Sequence, residues 1–70
     1  MMPLSMANIG ETSRIKTITG KDEVRRHLES LGFVVGESVT IVSKIAGNMI
    51  LQVKDSRIAL DKNMAHRIMV

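Results

Sequence analysis

The chain has no cysteine, no tryptophan and no tyrosine, and only one phenylalanine and one proline in 70 residues. Without thiols there is no disulfide framework and no thiolate zinc or iron–sulfur site. With Phe33 as the only aromatic, the chain lacks the platforms on which small barrels stack single-stranded nucleic acid, at about 1–3 kcal/mol per base. It equally lacks the aromatic-lined groove that grips proline-rich peptides. No apolar run approaches the roughly 20 residues that carry a helix across a bilayer. Met1 to Ile9 shows neither the basic start nor the apolar stretch of a secretory leader. These absences set the expectation of a cytoplasmic domain with no direct membrane insertion and no nucleic-acid partner.

What is present points to one small folding unit, residues 1–70. A chain this short buries only about 60% of the surface it exposes when unfolded, so its core is thin. Ten basic against seven acidic residues leave a net charge of +3, spread along the chain apart from the pair Arg25-Arg26. Such a balance fits a mixed, soluble surface.

The pattern of residues gives the element order. Thr12 to Ile18 is rich in β-branched residues and reads as a strand. Its apolar positions Ile15 and Ile18 break the two-residue period, so a bulge or bend is expected there. Lys21 to Leu31 reads as an amphipathic helix, with Val24, Leu28 and Leu31 on one stripe. Asp22 and Glu23 favour its first turn, Asp22–Arg26 and Arg25–Glu29 are candidate ion pairs, and Gly32 stands where a left-handed residue ends a helix. Ser38 to Ile45 reads as a strand with Val39, Ile41 and Ile45 on one face. The Ala46-Gly47-Asn48 loop then returns the chain through Met49 to Lys54. A further strand follows at Arg57 to Leu60, a single helical turn N-capped by Asp61, and a last strand at Ile68 to Val70. About five short strands cannot stack as two full sheets. One bent sheet closed into a small barrel would remove the free edges. The fold class is therefore mainly β, with one inserted helix and a short helical turn near the C-terminus.

Catalytic chemistry finds little support. There are two histidines, His27 and His66, and serines without a Gly-x-Ser-x-Gly elbow. No spacing pairs a nucleophile with a base and an orienting group, so the expectation is no enzyme and no catalytic residue. No glycine loop matches a nucleotide fingerprint, so no bound cofactor is expected. His27 and His66 are the only weak candidates for transition-metal ligands, and no His-x-His or His-x3-His spacing joins them. Protein recognition is what remains. Arg25, Arg26 and Leu28 on the helix, the turn Phe33-Val34-Val35-Gly36, and the hairpin tip with Gly47 and Met49 form the expected contact zone. Leu28 would act indirectly, by seating the helix. Short edge strands also leave room for weak self-association.

The run Val24-Arg25-Arg26-His27-Leu28-Glu29-Ser30-Leu31-Gly32-Phe33, with Gly36 beyond it, resembles the signature of the ferrous iron transport protein A (FeoA) family. The closing block, Ser56 to Leu60 followed by Met64 to Val70, is similar to that family's end, and Leu4 to Ala7, Gly10-Glu11 and Gly47 fit as well. The resemblance implies an SH3-like β-barrel with an inserted helix. It also implies a small bacterial accessory protein of ferrous iron uptake, whose partner is the cytoplasmic region of a membrane transporter carrying a GTPase domain. Asp55 and Val35 depart from the pattern, standing where glycine and proline are common in the family. Two alternatives outside this resemblance are a basic barrel that binds nucleic acid and a metal-binding chaperone or sensor using His27 or His66.

Overall fold

The computed structural model describes residues 1–70, and its six strands lie in two hydrogen-bonded groups. Strand β1 (Thr12–Arg14), β3 (Ser38–Ile45), β4 (Asn48–Val53) and β5 (Ser56–Asp61) form an antiparallel sheet in the order β1-β3-β4-β5. Strand β2 (Thr17–Ile18) pairs with β6 (Ile68–Met69) in a separate ladder. Helix α1 (Asp22–Ser30) connects β2 to β3, and α2 (Lys62–Ala65) connects β5 to β6.

The expected bend between Ile15 and Ile18 is what divides the first strand. Before it, Ser13 pairs with Val39; after it, Thr17 pairs with Met69. At the bend, Ile15 accepts from Gly36 N (2.8 Å) and donates to Glu37 O (2.9 Å), so the backbone stays paired while the chain changes sheets. Both Ile15 and Ile18 reach the core as a result. Beyond β6, Met2 and Val70 exchange two backbone bonds of 2.9 and 2.8 Å, which knits the two ends of the chain together.

The sheets do not close into a barrel. Closure would require the outer edge of β5 to bond to a neighbouring strand, and the backbone pairing of β5 is with β4 alone. A short 3-10 turn, Leu4–Met6, buries Leu4, and α2 buries Ala65. The molecule is mainly β and half-wrapped.

Helix α1 begins and ends within one residue of the expected limits. No side chain caps its start, but its end is a full Schellman arrangement. Gly32, at φ +105°, donates to Glu29 O (3.0 Å), and Phe33 N donates to Leu28 O (3.0 Å). This turns Phe33 back under the sheet, where it is wholly buried with Leu28, Val39, Ile41, Leu51 and Ile68. The ion pair on the helix is Arg25–Asp22 at 3.6 Å, one turn apart, rather than the two expected pairs.

Strand β3 departs from the simple alternation. Its register against β4 jumps from Ile41↔Leu51 to Ser43↔Ile50, so Val42 is an extra, bulged residue. The bulge moves Ile45 to the outer face, where it is 60% exposed, although alternation had placed it inward with Val39 and Ile41. The Asp61 cap is as expected: its Oδ1 accepts from Met64 N at 2.7 Å.

Candidate protein-docking site

Three side chains of the expected contact zone are buried and present no surface: Leu28, Phe33 and Met49. Leu28 lies on the apolar stripe of α1 and Met49 on the inner face of β4, while Phe33 follows α1 and is folded back into the core by the Schellman turn. Leu28 thus acts through the seat of α1, while Phe33 and Met49 are core. The exposed members of the zone are Arg25, Arg26, Val35, Gly36 and Gly47.

Arg25 and Val35 meet at an open cleft of about 290 Å³, lined by Thr17 and Ile18 of β2, Arg25 and Glu29 of α1, and Val35. A second opening alongside it, lined by Asp22, Arg25, Arg26 and Glu29, extends the charged side over the helix. The turn that carries Val35 is pinned on both flanks. Glu37 N donates to Val34 O (3.1 Å), Gly36 bonds to Ile15 as described, and Lys54 Nζ reaches Glu37 at 3.8 Å. Val35 is therefore held at 66% exposure by backbone hydrogen bonds rather than by proline, and it projects beside a rim of mixed charge.

The hairpin tip forms a separate, smaller recess of about 120 Å³ between Lys44, Ile45, Gly47 and Lys62. It shares no lining residue with the first cleft. The contact zone read as continuous along the sequence is thus two places on the molecule.

The histidines have different surroundings. His27 lies in the last turn of α1, and its carbonyl accepts from Ser30 Oγ at 2.6 Å. His66 caps α2, and its Nδ1 lies 2.9 Å from Oγ of Ser5, which is buried. This Ser5–His66 hydrogen bond fastens the N-terminal turn to α2. Sequence reasoning missed it because the two residues are 61 positions apart and lie in no motif. No group of three or more His, Asp or Glu side chains gathers where a metal ion would sit.

Comparison with known proteins bears on this geometry. The family model for the FeoA domain matches residues 2–70. The chain belongs to the FeoA family. A Methanocaldococcus jannaschii protein named as an Fe(2+) transport protein A is 31% identical over all 70 residues, which cover 85% of that protein. The crystal structure of an iron uptake regulatory protein, FeoA, superposes with a TM-score of 0.88 at 28% identity, covering 96% of this chain and 89% of the other. Stenotrophomonas maltophilia FeoA in complex with zinc, described as a prokaryotic SH3 domain protein, has a TM-score of 0.86 at 29% identity. The overlap there is 99% of this chain and 88% of the other. The fold is SH3-like, and the family's place is ferrous iron transport. No helix in this member is long and apolar enough to cross a membrane.

Proposed function

We propose that this chain is a cytoplasmic accessory protein of ferrous iron uptake that docks, through the cleft between α1 and β2, on the cytoplasmic GTPase-bearing region of the iron transporter. It carries out no reaction of its own and needs no bound cofactor. The observation that carries this reading is Val35, an aliphatic side chain fixed in solvent beside Arg25 and Glu29. Family membership supplies the process. The Stenotrophomonas relative is itself described in connection with activation of ferrous iron transport.

The test is a titration of the transporter's isolated cytoplasmic region with this protein at near-physiological salt, in nucleotide-free, GDP-bound and GTP-analogue-bound states. Saturable binding is expected in at least one state. Val35→Asp, which sets a charge at the centre of the apolar contact, is expected to weaken it about tenfold or more. Arg26→Glu, on the helix rim, is expected to act mainly through association rate and salt dependence. No saturable binding in any nucleotide state overturns the proposal, as does binding indifferent to Val35→Asp.

A further inference from the structure

The unclosed side of the sheet leaves β5 as a free edge, and its residues are self-complementary. We infer that β5 pairs antiparallel with β5 of a second copy of this chain, about a two-fold axis at Ala59. This surface is distinct from the docking cleft, which contains no residue of β5.

The backbone phase of the edge is fixed at both ends. The two-residue loop Lys54-Asp55 joins the pair Val53↔Ser56, and Lys62 N donates to Gly47 O (2.9 Å) past the far end. Bonding to β4 therefore falls on Ser56, Ile58 and Leu60, while Arg57, Ala59 and Asp61 turn their backbone N–H groups outward. Arg57, Ala59 and Asp61 are all exposed. Unpaired strand edges of this kind are templates for another strand, and natural edges are commonly blunted by charged side chains, a proline or a bulge. β5 has no proline and no bulge, and its two charges, Arg57 and Asp61, are opposite in sign and stand symmetrically about the small Ala59.

Side chains select the second copy as the occupant, and they select one register. With Ala59 opposite Ala59, the two alanines exchange N–H···O=C bonds, and each Arg57 faces an Asp61 across the axis. Ile58 and Leu60 oppose each other on the inner face. Sliding the register by one two-residue step in either direction leaves every charge opposite an alanine or unpaired. A slide of two steps sets like charges face to face, which is unfavourable. The charged groups keep capacity for the new partner. Arg57 uses only Nε, toward Gln52 Oε1 at 3.2 Å, and Asp61 uses only Oδ1, toward Met64 N. A single strand pair buries less than a standard interface, so the dimer is reversible and concentration-dependent.

Sedimentation equilibrium over a wide concentration range tests this, with circular dichroism checking each fold. The unaltered protein is expected to show a monomer–dimer equilibrium. Arg57→Glu is expected to raise the dissociation constant about tenfold or more, because both cross-axis pairs become acidic. Ala59→Lys, a gatekeeper at the centre, should abolish the dimer. An equimolar mixture of Arg57→Glu and Asp61→Lys proteins restores opposite charges at both positions and should recover a heterodimer. If loss of the cap unfolds the Asp61→Lys protein, Ala59→Cys is the second probe. The chain has no cysteine of its own, and the two facing Cα atoms would stand at a separation suited to a disulfide. Oxidation should cross-link that variant faster than a Thr12→Cys control. A protein monomeric at all concentrations, a dimer indifferent to Arg57→Glu and Ala59→Lys, or cross-linking no faster than the control overturns the inference.

Discussion

Leu28 has no exposed surface, and its neighbours in the core come from both sheets. Truncating such a side chain removes transfer free energy and leaves a cavity, together about 2–5 kcal/mol. Against a total stability of about 3–10 kcal/mol for a domain of this length, that is a large share. Leu28→Ala is expected to lower the urea midpoint sharply or to leave the protein unfolded, as an equilibrium urea titration would show. Val35 is the opposite case. Its loss removes no core contact, so Val35→Asp should alter docking while thermal unfolding stays near that of the parent. Comparing the two variants separates a residue that builds the site from one that belongs to it. The burial of Leu28 was legible from its place on the Val24, Leu28, Leu31 stripe. The Ser5–His66 bond was not, because it joins distant residues that are ordinary surface types in isolation.

The hairpins show where local chemistry falls short of its ideal. Ala46 has φ +44° and Gly47 φ +83°, so the β3–β4 loop needs two left-handed residues and alanine supplies one of them at a cost. Asn-Gly is the pairing this loop type prefers. Ala46→Asn is therefore expected to stabilise the protein by about 0.5–1 kcal/mol, seen as a higher denaturant midpoint with an unchanged slope. Legibility at this scale follows the same logic. Helix α1 was readable because a stripe, an acidic first turn and a terminal glycine all agree. The turn of Ile45 to the outer face was not, because the bulge at Val42 lies in a run of ordinary strand formers with no glycine or asparagine to mark it. The bend at Ile15 was readable for the converse reason: two isoleucines out of phase demanded an irregularity.

At the scale of the molecule, the difference between a closed barrel and the half-wrapped sheet lies in one missing line of hydrogen bonds beside β5. Counting strands cannot reveal it, since the same number of strands closes or stays open according to whether the outermost strands bond to each other. The open edge of β5 shares no residue with the cleft at Val35, so the proposed docking and the proposed self-association are separable by substitution. The bonds between Met2 and Val70 carry a further consequence. Met2 lies beside Val70, so joining residue 70 to residue 1 by a short glycine linker, with the chain reopened at Ala46-Gly47, yields a circular permutant with every strand neighbour retained. In that rearranged polypeptide β3 and β4 are no longer consecutive, and fluorescent or affinity fusions would project from the hairpin tip instead of from beside β6.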